Sequence, residues 1–201
     1  MLQKKIILLS CLGLALHSCG QKQLSPPQLE QYVEDASNGL NQTQHVNGID
    51  VSVKYQPVDL IVSRELQGEP EGSISSVIDS LRNIYGRYSF FTISFSKNSK
   101  EILQPQEGFS TYSELLQTLA FRMDKEVEII TSRGDTLYPV NYYLDRSYAT
   151  ANASQLLFAF QSVKEAGDCK IRIKEFGLVT GTLIFSFDDD ALKATPSIQL
   201  N

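Results

Sequence analysis

Apolar residues recur at helical spacing in three separate segments of the chain. In the first segment Leu29, Tyr32, Val33 and Leu40 follow an i, i+3, i+4, i+11 pattern, and acidic residues occupy positions between them. The same reasoning predicts three helices, at about 28–40, 73–86 and 111–123. A short fourth helix is predicted directly after Pro57, because proline is favoured in the first turn of a helix.

Elsewhere apolar and polar residues alternate one by one, which is the pattern of a strand with one face in a core. Ile49, Val51, Val53 and Tyr55 share one face in this way. Such runs predict about seven short strands, within residues 48–55, 88–96, 125–145, 154–162, 169–177 and 178–187. The segment 125–145 is expected to form two strands joined by a tight turn at Arg133-Gly134-Asp135.

The last predicted strand, 178–187, contains an unusual glycine. Val179 shares its predicted apolar face with Leu183 and Phe185, and Gly181 is interpreted as a bulge or a close backbone approach between them. Together the elements indicate an α+β fold, with an antiparallel β-sandwich or a curved sheet and three to four helices.

Composition agrees with a folded domain and bears on the possible partners. Hydrophobic residues make up 42% of the 201 residues and charged residues 20%, as in ordinary globular proteins. The net charge is -5, so the chain as a whole carries no basic field, and we expect no nucleic-acid partner. Three cysteines, two of them near the N-terminus, do not provide a disulfide framework.

The N-terminus has the features of a secretory signal. Lys4 and Lys5 precede an apolar run, Ile6–Leu16, that is too short to span a bilayer, which takes about 20 apolar residues. The sequence Leu16-His17-Ser18-Cys19 follows it and resembles the lipobox of bacterial lipoproteins. A second match ends at Cys11, but only five apolar-region residues would precede that cysteine.

The lipobox resemblance implies cleavage by signal peptidase II before Cys19 and lipid attachment to that cysteine. The predicted organisation is therefore a signal peptide at 1–18, a lipidated cysteine and short tether at 19–27, and one α+β domain at 28–201. The mature body, which is rich in Tyr and Phe and lacks Trp, resembles small lipoproteins of Bacteroidota in style. Because no acidic run follows Cys19, we expect attachment to the outer membrane facing the periplasm.

Residues suited to catalysis or metal binding are few. The predicted mature chain holds one histidine, His45, in a segment predicted as a loop, and one remaining cysteine, Cys169, so we predict no zinc site. Asp188-Asp189-Asp190 lacks the spacing of an EF-hand and is interpreted as a solvated strand end or as the cap of a short helix. No cofactor and no enzymatic activity are predicted. A glycosidase-like carboxylate pair stays open; the eligible residues are Asp59, Glu65, Asp145 and Glu175.

Two surfaces are candidates for interaction. The first is a stripe of cations at alternating positions, Lys170, Arg172 and Lys174, which would suit an acidic partner or a glycan, or alternatively protect an exposed strand. The second is a group of tyrosines, Tyr138, Tyr142, Tyr143 and Tyr148. Tyr142 and Tyr143 are adjacent in a predicted strand, so one of them should point away from the core.

Three hypotheses about function follow. We favour a non-enzymatic lipoprotein that anchors or scaffolds an envelope protein complex through its sheet faces and helices. The lipoprotein of the type VI secretion membrane complex is an analogue in architecture only. The alternative is a lipoprotein that binds a glycan or a small molecule with its tyrosines, and a hydrolase is the weakest hypothesis.

Overall fold

In the computed structural model, the chain is described over residues 23–67, 74–103, 108–145 and 152–198. The helices of this part are α1 (Pro26–Glu34), α2 (Val58–Glu65), α3 (Ile74–Tyr85), α4 (Phe109–Phe121), α5 (Met123–Glu126) and α6 (Asp189–Lys193). The strands are β1 (Asn41–Val46), β2 (Ile49–Gln56), β3 (Tyr88–Lys97), β4 (Lys100–Glu101), β5 (Val127–Thr131), β6 (Thr136–Leu137), β7 (Asn141–Asp145), β8 (Ser154–Gln161), β9 (Cys169–Ile173) and β10 (Leu183–Phe187). None of the described helices is both long enough and apolar enough to cross a membrane.

The strands form two antiparallel sheets. The larger has the order β1-β2-β3-β8-β7, with β4 paired to the end of β3, and the smaller has the order β10-β9-β5-β6. Phe91 on β3 meets Phe187 on β10 with ring centroids 5.2 Å apart. Buried residues of both sheets belong to one hydrophobic cluster. The predicted α+β class is confirmed, and the two sheets are compatible with the predicted sandwich.

The alternation predicted for β2 and its neighbours is found in the structure. Val51 lies opposite Phe95 and Val53 opposite Ile93, and all four side chains are buried. This buried face continues onto the adjacent strand β8 through Leu156 and Phe158. The opposite face of β2 is more polar, as the period of two requires.

The folded body begins earlier than predicted. Leu24 is buried, and its N–H donates to the carbonyl of Ser197 at 3.0 Å. Helix α1 starts at Pro26, because prolines are tolerated in a first turn, where backbone N–H groups have no helical acceptor. Residues 24–27, predicted as tether, therefore belong to the folded body. Residues 1–22 lie outside the described part, and the predicted signal peptide and Cys19 lie with them.

Two further boundaries differ from the prediction. The first helix ends at Glu34 rather than near residue 40, because Asp35 adopts an extended conformation and its carboxylate accepts the N–H of Ser37 at 2.9 Å. The segment of His45, predicted as a loop, is strand β1, which pairs with β2 through a turn at Asn47 and Gly48. Its side chains are mostly polar, and this composition concealed the strand.

The prediction for residues 178–182 is wrong, because these residues form a loop before β10. The carboxylate of Glu175 accepts the N–H groups of Gly177, Val179 and Gly181 at 2.6–2.8 Å. Val179 has a φ of +59° and its side chain is 74% exposed instead of facing the core with Leu183. Burial acts to raise the pKa of Glu175, but the donated N–H groups outweigh it and hold this pKa below its ordinary value.

Candidate docking surface

Two of the three cations of the predicted stripe, Arg172 and Lys174, form ion pairs within the protein. Glu128 on β5 is only 1% exposed and forms ion pairs with Arg172 and Lys174, the Nζ of Lys174 lying 3.2 Å from its Oε2. Lys174 also donates to the carbonyl of Lys125 at 3.0 Å. Of the three predicted cations, only Lys170 is exposed and without an ion pair to a described residue. The stripe is therefore not a free cationic surface.

This network makes a prediction about acid stability. Burial acts to raise the pKa of Glu128, but its bonds to Arg172 and Lys174 outweigh burial and hold this pKa below the ordinary 4.5. The network thus stabilises the fold fully above pH 4.5, and this contribution is lost as the pH falls through the lowered folded-state pKa. We expect Glu128→Gln to reduce the free energy of unfolding by about 1–3 kcal/mol at pH 7.

Urea unfolding of the wild type and of Glu128→Gln across pH 3–7 measures this contribution. The difference between the two proteins should shrink as the pH falls through the lowered folded-state pKa of Glu128, because the wild-type carboxyl then becomes protonated. Glu165→Gln is the matched control, because the side chain of Glu165 is exposed. An equal difference at every pH would contradict the role assigned to the Glu128 charge.

The tyrosines divide as their sequence position predicts. Tyr142 faces inward: its ring stacks on Phe158 with centroids 5.3 Å apart, and its hydroxyl accepts the N–H of Met123 at 3.3 Å. Its neighbour Tyr143 is 63% exposed, and Tyr138 is 58% exposed. The prediction that one of the adjacent pair lies outside the core is confirmed, while Tyr148 lies outside the described residues.

Tyr143 belongs to a strand that ends the larger sheet. Within the described residues β7 pairs with β8 alone, so its second edge has no strand partner. Val140, just before β7, is 51% exposed, and Phe121, at the end of α4, is 77% exposed. Phe121 is the last residue of α4, and the N–H of Met123, two residues later, donates to the hydroxyl of Tyr142 on β7. We call β7 together with Phe121, Tyr138, Val140 and Tyr143 the β7 edge.

The other sheet edges differ from the β7 edge. Along β10, the side chains of Gln42 and Gln44 on β1 donate to the carbonyls of Ser186 and Ile184, the second bond being 2.7 Å long. Strand β6 is two residues long, which leaves little edge to pair with. Strand β1 itself carries polar side chains at all positions before Val46. These edges are capped, short or polar, whereas the β7 edge is flanked by exposed apolar groups.

Three of the candidates for catalysis, His45, Asp59 and Glu175, have structural partners. His45 Nδ1 lies 2.6 Å from Asp50 Oδ1 on an exposed part of the larger sheet. Asp59 binds the Nε of Arg82 at 2.8 Å, and Glu175 organises the loop described above. Asp145 ends β7. The structure thus does not bring these groups into one described cleft.

The remaining sequence candidates have local structural roles. Asp188 lies at the N-cap position of α6, where its side chain makes no capping hydrogen bond. The Arg133-Gly134-Asp135 segment forms the predicted tight turn, in which the Gly134 N–H donates to the carbonyl of Thr131 at 2.9 Å. No group of three or more His, Cys, Asp or Glu residues in the described part of the chain could hold a metal ion. Burial, with smaller effects of Asp168 and Asp189, raises the pKa of the Cys169 thiol to about 12.

Three cavities formed by described residues do not involve the predicted tyrosines of that part of the chain. They have volumes of about 490, 350 and 270 Å³. Tyr138, Tyr142 and Tyr143 line none of these three. The predicted tyrosine group is therefore better described as part of an open sheet edge than as the wall of a pocket.

Comparison with known proteins adds little to this description. No protein-family model and no curated protein matches the chain. A solved structure with some likeness is that of a novel protein of unknown function from Burkholderia pseudomallei, at 10% sequence identity and a TM-score of 0.41. The match covers 86% of this chain and 94% of that one. A likeness of this degree carries no functional argument.

Proposed function

We propose that the protein is a non-enzymatic lipoprotein of the bacterial cell envelope, anchored through Cys19 in the outer membrane and facing the periplasm. In this role it binds a protein of an envelope complex at the β7 edge. The observation that supports the proposal is the contrast between the edges: β7 is flanked by exposed apolar side chains, whereas β10 is capped by glutamine side chains. The role requires no cofactor and no metal.

The chemistry of a sheet edge suggests how such a partner would bind. In an antiparallel sheet, alternate residues of an edge strand direct their N–H and C=O groups away from their neighbour. An extended segment of a partner can satisfy these groups by adding a strand. Tyr143 and the neighbouring Tyr138 and Val140 would add contact area, and exposed tyrosines contribute both apolar area and a hydrogen bond.

The position of the first buried residue sets the distance to the proposed anchor. Leu24 is held against Ser197 and Ile198, and it follows Cys19 by five residues. Five extended residues span at most roughly 17 Å. With Cys19 lipidated, the body would stay close to the membrane surface, where a membrane-bound complex is within reach.

Substitutions on two edges of the same sheet test the proposal. We expect Tyr143→Lys to prevent binding, because it places a charge on the β7 edge and removes aromatic contact area. Thr43→Lys places the same charge on β1, the opposite edge, and should leave binding intact. The measurement is affinity capture of the protein from envelope membranes, with the amount of each stoichiometric partner quantified by mass spectrometry.

Two outcomes of the capture experiment would contradict parts of the proposal. If the wild type recovers no stoichiometric envelope partner, the scaffold proposal is wrong. If a partner is recovered equally with both variants, the proposal of an envelope complex stands and the assignment of the β7 edge is wrong.

A further inference from the structure

A second site, unrelated to docking at the β7 edge, is suggested by the largest of the three cavities. This end cavity has a volume of about 490 Å³, within the range of small-molecule sites. It lies between the end of β2 with the start of α2, the start of β3, the residues that follow β8, and the end of α6 with the segment after it. Residues from each of these parts of the chain line its walls.

Tyr55 gives the end cavity an unusual polar group. The residue is only 6% exposed, it lines the cavity, and its ring packs on Phe91 with centroids 5.4 Å apart. Its hydroxyl makes no hydrogen bond with any residue in the described ranges. The hydroxyl is not among the fully enclosed polar atoms without a partner, so solvent reaches it although the rest of the residue is buried. The group is therefore available to a molecule that enters the cavity.

Ser89 adds a second donor to the same cavity. It is buried and lines the cavity, and its Oγ accepts the N–H of Val163 at 3.1 Å. This bond uses an acceptor lone pair and leaves the hydroxyl proton, which no described group accepts. Burial, with a smaller effect of Cys169, raises the pKa of Tyr55 to about 12, so that this hydroxyl also keeps its proton at neutral pH.

The walls of the end cavity are apolar around these two donors, and its mouth carries charges of both signs. The apolar wall residues are Pro57, Val58, Val163, Leu192 and Pro196. Asp59 also lines the cavity, but both of its oxygens are bonded, to Arg82 and to the N–H of Ile198.

At the mouth, Lys193 pairs with Asp189 at 2.5 Å, while Lys164 and Glu165 are exposed neighbours of opposite charge. The site as a whole thus has no strong net charge and does not favour an ion. It favours an uncharged molecule with an acceptor oxygen, an apolar group and further hydroxyls.

We propose that the end cavity binds an uncharged saccharide that carries an N-acetyl group. The acetamido carbonyl accepts hydrogen bonds from Tyr55 and Ser89, and the methyl group packs against the apolar walls. The ring hydroxyls lie at the mouth, where they donate to Glu165 and accept from Lys164, a pairing that hydroxyl groups allow because they both donate and accept.

A titration of the full-length protein with two sugars tests the proposal. The protein is purified in a detergent without a sugar headgroup, and saturable binding of N-acetylglucosamine and of glucose is measured by isothermal calorimetry and ligand-observed NMR. We expect N-acetylglucosamine to bind in the millimolar range and glucose, which lacks the carbonyl, to bind on the order of tenfold more weakly. Absence of saturable binding, or equal binding of the two sugars, would overturn the proposal.

A variant then tests the assignment to the cavity. Tyr55→Phe removes only a hydroxyl without a protein partner, so it should leave the thermal midpoint unchanged while weakening the N-acetylglucosamine affinity on the order of tenfold. Tyr142→Phe, on β7 and outside the end cavity, should bind as the wild type does. Equal affinity of Tyr55→Phe and the wild type would show that the sugar does not bind here. Neither titration depends on lipidation or on a docking partner.

Discussion

Replacing Cys19 with alanine is expected to abolish lipid labelling completely and to leave an uncleaved precursor. Acylation occurs on the cysteine sulfur, which alanine lacks, and the lipobox resemblance implies that cleavage follows acylation. The measurement is metabolic labelling with a clickable fatty acid, together with the mobility of the protein on a gel. No other predicted change removes the protein from its proposed site of action altogether.

Cys11→Ala is the matched control for this experiment. Cys11 lies within the apolar run of the proposed signal peptide. Only five residues of that run, Ile6–Ser10, precede it. We expect this variant to be labelled and processed like the wild type. Loss of labelling in Cys11→Ala with normal labelling of Cys19→Ala would transfer the anchor to the earlier cysteine.

Phe91→Ala is expected to lower the free energy of unfolding by about 3–5 kcal/mol. The ring of Phe91 is fully buried and contacts Tyr55, Phe160 and Phe187 at centroid distances of 5.4, 6.2 and 5.2 Å. Phe187 belongs to the smaller sheet, so the substitution opens a cavity where the two sheets meet. Chemical denaturation monitored by circular dichroism measures the change.

Phe121→Ala is the same substitution at an exposed position. Because its side chain is 77% exposed, we expect a change in the free energy of unfolding within about 0.5 kcal/mol. This variant should instead weaken binding at the β7 edge. A large loss of stability in Phe121→Ala, or a small one in Phe91→Ala, would contradict the division between core and docking residues.

The sequence predicts the fold best in the segments where apolar and polar residues recur with a clear period. The alternation around Ile93 on β3 and Ile171 on β9 predicted buried strand faces, and both side chains are fully buried. The predicted ends of helices and strands were wrong where a local hydrogen bond overrides the hydrophobic pattern. Asp35 ends α1 by accepting from Ser37, and Glu175 draws three backbone N–H groups into a loop that excludes Val179 from the core.

The candidate sites show the same division between local and long-range information. That Tyr142 and Tyr143 face opposite sides follows from strand geometry alone. The pairing of Arg172 and Lys174 with Glu128 joins residues 44 or more positions apart, and no periodicity reveals it. The capping of β10 by Gln42 and Gln44 spans 140 or more positions. For that reason the sequence does not show that two of the three cations of the stripe, Arg172 and Lys174, are paired in the fold.

Sequence patterns that extend over a few residues were sufficient to predict the α+β class and most helices and strands. They also led to the proposal that Cys19 carries a lipid. Hydrophobic periodicity and short motifs act over a few residues, and a single sequence contains them completely. Which strand ends a sheet, which charges are neutralised, and which hydroxyl faces a cavity depend on contacts between distant segments. The β7 edge and the cavity at Tyr55 therefore became visible only when the two sheets were assembled.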